Sequence, residues 1–213
     1  MLLRHLYNLA QSRNLLNDLA FAPKAVRWVI ALDEEGNLLS SGPIETTGDK
    51  NRGREFSAPQ TSRPKVAGGV AEFLADGITA LFGLDSDPEK DATNAKKRRE
   101  RDANNAAKYQ DFWQQIEQAE TTTQHPALKA ILQFRAWTGH SPAFLRWGIS
   151  REAKAGEKAA WWLTSASGVE VKLGPENFTF SVGSQLLLDD EQTIRPYWRM
   201  RRLYPATHPL RPN

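Results

Sequence analysis

The residue types that most often carry chemistry are sparse and scattered here. The four histidines, His5, His125, His140 and His208, lie far apart, and none has the spacing that would set two metal ligands on one helix face. No cysteine is present, which removes thiol nucleophiles, disulfides and thiolate zinc sites and fits a reducing cytosol. Gly-x-Ser-x-Gly, Walker and Gly-x-Gly-x-x-Gly sequences are also missing. Asp189-Asp190-Glu191 offers a carboxylate cluster for metal-assisted hydrolysis, yet acids in the first turn of a helix are what the helix dipole favours without any metal. No catalytic residue, metal site or cofactor is expected.

Basic and amide side chains make the stronger pattern. From Lys50 to Gly69 there are five basic residues, Lys50, Arg52, Arg54, Arg63 and Lys65, against the single acid Glu55. Asn51, Gln60 and several Ser/Thr lie among them and can bond phosphates or base edges, while Gly53, Gly68 and Gly69 allow close backbone approach. A helix starting near Gly68 to Ala71 would add unpaired N–H groups as a phosphate seat. A second island, Lys96-Lys97-Arg98-Arg99-Glu100-Arg101, carries +4 over six residues. Such a run is either a solvated helix face or a set of phosphate anchors. Trp161-Trp162, if on a strand, sends its two rings to opposite faces, and an exposed ring would mark a partner surface.

The elements that must position these residues follow from periodicity. An amphipathic helix is expected at Leu2, Leu3, Leu6, Leu9 and Ala10, then a β-hairpin from Val26 to Leu32 through Asp33-Glu34-Glu35-Gly36-Asn37 to Leu38-Leu39-Ser40. Residues 41–69 lose periodicity and read as one long irregular loop. Val70, Phe73, Leu74, Gly77, Ile78 and Leu81 have helical spacing that should stop at Gly83. Further helices are expected over residues 92–119, where Tyr109, Phe112, Trp113 and Ile116 share a face, and from Pro126 to Gly139. Short β-prone runs at 160–163, 169–173, 178–182 and 185–188 suggest a small antiparallel sheet, and residues 189–203 a last helix. The fold class is α+β.

The chain has 213 residues, 40% hydrophobic and 25% charged, enough to bury a core without staples. No apolar run is long enough to span a membrane, and the amino end lacks the continuous apolar core of a signal peptide. Net charge is +3, but removing the four arginines of residues 199–213, a stretch with no acid, takes it to −1. A polyanion site must therefore rest on the local islands rather than on a global field.

Taken in order, Leu6-Tyr7, the strand from Val26 with its Asp-x-x-Gly turn, Arg63-Pro64-Lys65 running into Gly68-Gly69 and Phe73-Leu74-Ala75-Asp76, Leu81-Phe82-Gly83-Leu84, Lys108-Tyr109-x-x-Phe112, Phe178-Thr179-Phe180 and Arg195-Pro196-Tyr197-Trp198 resemble the large subunit of type I-C CRISPR surveillance complexes (Cascade). The resemblance spans roughly residues 1 to 200. It implies a non-catalytic, cytoplasmic, antiviral role. Such a subunit recognises the protospacer-adjacent motif in target double-stranded DNA, supports strand opening, and works with guide RNA-bearing backbone subunits and a recruited helicase-nuclease. On this chain the resemblance places DNA binding at Lys50, Asn51, Arg52, Arg54, Arg63, Lys65, Gly68 and Gly69, and the charge run adds Lys96, Lys97, Arg98 and Arg99 as candidate phosphate anchors. Residues 1–198 are expected to form the recognition domain and 199–213 a Pro/Arg-rich irregular tail, truncated relative to the longer, helix-ended family members. The alternatives are a protein-interaction scaffold built on Trp161 and Trp162, and a nuclease built on Asp189, Asp190 and Glu191.

Overall fold

The computed structural model describes residues 18–48, 52–61, 69–90, 93–139, 142–150, 152 and 154–203. The amino-terminal helix expected at residues 2–10 lies outside them. Strands β1 (Phe21–Val26) and β2 (Trp28–Leu32) are separated only by Arg27, where the chain passes from one sheet to another. The turn after β2 is as expected, with the Asp33 carboxylate accepting the N–H groups of Glu35 and Asn37. The returning strand is reduced to a single bridge, Leu32 to Leu38.

The stretch read as one loop contains two strands, β3 (Ile44–Glu45) and β4 (Arg54–Pro59). β4 pairs antiparallel with β1, Val26 opposite Arg54 and Phe21 opposite Pro59, in a two-stranded ribbon whose free edges tolerate Pro23. β2 lies between β3 and β8 (Phe178–Val182), antiparallel to the first and parallel to the second, with β9 (Gln185–Leu186) beyond β8. β5 (Leu145–Gly148), β6 (Ala160–Thr164) and β7 (Glu170–Lys172) form a separate antiparallel sheet. The carboxy-terminal strands thus split between two sheets, and β8 joins a strand about 150 residues earlier through a crossover connection of the length parallel pairing needs.

Helix α1 is short (Ile78–Phe82), α2 long (Ala95–Thr123), α3 runs Pro126–Thr138 and α4 Ile194–Leu203. The helix expected from Val70 begins only at Ile78. Leu74 holds φ +61°, and the Ala71 and Glu72 N–H groups go to the carboxylates of Asp111 and Asp76 instead of to a helical ladder. Ala71, Phe73, Leu74 and Ala75 are all buried, so the apolar spacing there reflects enclosure on every side. α4 runs past residue 198, and Arg199 pairs with Asp18 at 2.7 Å.

One core joins these parts. Trp28, Ile30 and Leu32 of β2 and Phe178 and Phe180 of β8 are fully buried beside Phe112, Trp113 and Ile116 of α2 and Leu128, Ile131 and Phe134 of α3. The indole N–H of Trp113 donates to the Leu81 carbonyl at 3.0 Å, so this large ring is buried with its polar atom satisfied. On the ribbon side Phe73 stacks on Trp198 at 4.9 Å, and Arg195 donates to the Ser57 carbonyl of β4. The ribbon is therefore fixed to the body.

Candidate nucleic-acid interface

The start of β4 is held at a crowded junction. Thr46 donates its hydroxyl to the Val26 carbonyl at 2.6 Å, accepts the Arg54 N–H at 3.0 Å, and gives its own N–H to the Arg27 carbonyl at 2.8 Å. One side chain thus ties together the ends of β1, β3 and β4. Two glycines close the neck. A Cβ on Gly48 would lie 2.0 Å from the Gly53 carbonyl oxygen, and one on Gly53 would lie 2.1 Å from the Val26 oxygen and 2.3 Å from the Arg27 Cα. Gly53 also holds φ +81°, where side chains are disfavoured.

Lys50 and Asn51, between the two glycines in sequence, lie outside the described residues. Arg52 and Arg54 are described, and both are exposed. The Arg54 guanidinium sits 5.3 Å from the Phe56 ring, which restrains the side chain while leaving its donors to solvent. An open cleft of about 300 Å³ beside the neck is lined by Glu45, Thr46, Thr47, Gly48 and Gly53. Glu45 also accepts from the buried Arg27 at 2.8 Å, and Arg27 pairs with Glu176 at 2.9 Å, so this wall of the cleft is rigidly braced.

The basic stretch is divided by β4, whose six residues span about 17 Å. Arg52 lies at one end of the strand; Thr61 leaves from the other, and Arg63, Lys65 and Gly68 follow outside the described residues. Gly69 holds φ +78°, and a Cβ there would come 2.7 Å from the Cβ of Ala107 on α2. Its role in the described structure is close packing on that helix. The phosphate seat expected at residues 68–71 is not formed by the described residues 69–71, where no helix starts and the Ala71 N–H donates to Asp111 at 2.9 Å. Gln115 donates to both the Ala71 carbonyl and the Asp111 carboxylate, locking the arrangement.

The second island occupies the first turns of α2, capped by Asn94, whose side chain accepts the Lys97 N–H at 3.1 Å. It divides by face. Arg98 binds Asp102 at 3.0 Å and the Pro88 carbonyl, and Arg101 binds Asp85 at 2.5 Å, so both are spent on the acidic connector and the helix itself. Lys96, Lys97 and Arg99 are exposed and have no ion-pair partner among the described residues. They stand at the positive end of a 29-residue helix whose first turn contains no acid. That arrangement opposes the usual preference and concentrates positive charge toward solvent.

Residues 2–209 match the family described as CRISPR-associated protein (Cas_Csd1). The chain belongs to this family. Cas_Csd1 proteins are the large-subunit family of type I-C CRISPR complexes, in agreement with the resemblance read from the residue order. No curated protein matches the chain.

The remaining sites of this Cas_Csd1 chain have structural employment. The carboxylate cluster is pulled apart. Asp190 is buried and accepts the N–H groups of Gln192, Thr193 and Ile194, capping the approach to α4, while Glu191 pairs with Arg195 at 2.9 Å. Burial raises the Asp190 pKa, but those N–H groups and the charge of His125 outweigh it and hold the carboxyl below its ordinary value. His125 lies with Nε2 2.9 Å from Asp190 Oδ2 and accepts the Ala127 N–H on Nδ1. Among the described residues no group of three or more His, Asp or Glu side chains could hold a metal ion, and no helix is long and apolar enough to cross a membrane. Trp161 and Trp162 do project to opposite faces of their sheet. Trp161 packs inward on Trp147 and donates to the Asp85 carbonyl, and Trp162 lies on the outer face. The pinch by Gly48 and Gly53 escaped the sequence reading, although two glycines bracketing Asp49-Lys50-Asn51-Arg52 are a visible sign of a tight neck.

Proposed function

We propose that this protein reads the protospacer-adjacent motif of duplex DNA as the large subunit of a type I-C surveillance complex, without catalysing a reaction itself. The observation that carries the reading is the neck at Gly48 and Gly53, a braced junction beside which Arg52 and Arg54 stand exposed. Recognition of a short duplex element needs few base-edge contacts, because guide pairing supplies the remaining specificity. Arg52, Arg54 and Lys50 act as phosphate anchors that fix register, and Asn51 has the donor and acceptor pair suited to a base edge. Lys96, Lys97 and Arg99 add salt-dependent attraction to the flanking duplex. Held in this way, the duplex is opened beside the motif and offered to guide RNA on the backbone subunits, and the helicase-nuclease is recruited to the opened site.

The test mixes the chain with guide-loaded backbone complex and selects bound duplexes that carry a randomised flank next to the target. Enrichment of one short flank only in the presence of the chain is the expected result. Co-elution with the complex and no enrichment would overturn motif reading. Magnesium-dependent cleavage by the purified chain would overturn the non-catalytic part of the proposal.

A further inference from the structure

Trp137, on the last turn of α3, is 65% exposed, and no other aromatic ring among the described residues stands so open. Its spacing from Ala130 and Phe134 continues the stripe that α3 buries, yet the ring projects past the end of the core. The turn after β2 lies against this stripe. A Cβ on Gly36 would come 2.4 Å from the Ala130 carbonyl oxygen and 2.9 Å from both the Gln133 Cβ and the Phe134 nitrogen. Trp137 follows Gln133 by one helical turn, about 5.4 Å along the axis, so the turn stands next to the indole. Asp33 keeps that turn rigid, accepting the N–H groups of Glu35 at 3.0 Å and Asn37 at 2.7 Å and the Asn37 side-chain amide at 2.8 Å.

The charges around the ring share one sign. Glu34 and Glu35, at the tip of the turn, are exposed and have no ion-pair partner among the described residues. The carboxy-terminal end of α3 adds its own partial negative charge. The basic residue of its last turn, Arg135, lies on the other side of the helix, where it binds Glu117 of α2 at 2.6 Å and covers the Tyr109 and Trp113 rings. Past the helix end a Cβ on Gly139 would meet no atom within 4 Å, so the approach to the ring is open. An exposed aromatic face bordered by carboxylates repels phosphates and attracts a cation. A guanidinium suits both parts, because its plane stacks on the ring while its N–H fork reaches carboxylates at the side.

We propose that the end of α3 and the turn after β2 form a docking surface for an arginine-bearing segment of a partner polypeptide, the guanidinium lying on Trp137 and donating to Glu34 and Glu35. The surface is separate from the neck at Gly48 and Gly53 and does not depend on motif reading.

The indole N–H resonance of Trp137, assigned by its loss in Trp137→Phe, is followed in the isotope-labelled whole chain while a short peptide of arginine, alanine and glycine is added. The resonance should shift in a saturable way, and the same peptide with glutamate in place of arginine should leave it unmoved. The lysine counterpart should bind more weakly, since an ammonium neither stacks nor forks. Trp137→Ala, read from the backbone signals of the turn, should weaken binding roughly 2- to 5-fold, the worth of one exposed cation–π contact. Glu34→Gln with Glu35→Gln should weaken it roughly 2- to 10-fold and reduce its dependence on salt. Melting midpoints should match the parent, because the ring is exposed and Asp33 rather than either glutamate holds the turn. No shift with the arginine peptide, an equal response to the glutamate or lysine peptide, or undiminished binding by both sets of variants would overturn the proposal. Movement of the resonance on concentrating the chain alone would assign the face to a second copy and overturn it as well. Arg52→Glu with Arg54→Glu, at the neck, should bind the peptide as the parent does.

Discussion

Gly53 lies so close to Val26 that a Cβ added to it would sit 2.1 Å from the Val26 carbonyl oxygen. The contact is backbone against backbone, so no rotamer change relieves it. Gly53→Ala must also hold a side chain at φ +81°. We expect a loss of about 1–3 kcal/mol in stability, together with impaired DNA binding. Urea unfolding and duplex affinity measured on the same preparation check this, and a variant as stable and as active as the parent would refute the neck as a rigid support.

Charge reversal at Arg52 or Arg54 addresses binding without touching the fold, because both side chains are exposed. Each variant should weaken duplex binding by the assembled complex and lower the slope of log affinity against log salt by about one. The fall should be similar for every flank sequence if the residue holds a phosphate, whereas loss of preference at one flank position would assign it to a base edge. Unchanged affinity and slope for both variants would remove them from the interface.

Much of this was legible in the sequence, and the reasons differ by element. α2 and α3 appear close to their expected positions because their signals are local: Asn94 as a cap, Pro126 in the first turn, Gly139 after the last, and Phe112, Trp113 and Ile116 on one stripe. β4 was hidden because its pairing with β1 is non-local and only Phe56 and Ala58 lend it an apolar face. The segment before α1 misled for the opposite reason. Its apolar residues are spaced as in a helix, yet Asp76, Asp111 and Gln115 take the backbone bonds a helix would have used. At the interface the basic residue types could be read directly, while their division by β4 into two groups depends on that unseen strand.

Acid should act through Asp190. Its carboxyl is held below the ordinary value by N–H groups and His125 against the opposing effect of burial, so the native state binds fewer protons than the unfolded chain near the carboxylate range. Stability from this group is complete above the unfolded pKa, about 3.9, and is lost as pH falls through the lower folded value. Asp190→Asn should lower the melting midpoint at neutral pH by an amount corresponding to about 1 kcal/mol and flatten its fall in acid. A parallel pH profile for the two proteins would exclude Asp190 as the source.

The island at the start of α2 should respond by face rather than by charge. Arg101 covers Asp85, whose side chain is only 12% exposed, so Arg101→Ala leaves a nearly buried carboxylate with only the Asp87 N–H and the more distant Arg98, at 3.7 Å, and should cost about 1–3 kcal/mol. Lys96, Lys97 and Arg99 cover nothing of this kind, and replacing all three by alanine removes like charges from the positive end of the helix dipole. That triple variant should be as stable as the parent or slightly more so, while its affinity for duplex gains less than the parent's as salt is lowered, so that the deficit is largest at low salt. Paired melting curves and salt titrations separate the two effects. If Arg101→Ala weakened DNA binding in a fully folded protein, or the triple variant bound duplex like the parent at low salt, the division of the island into a structural and a DNA-facing half would be wrong.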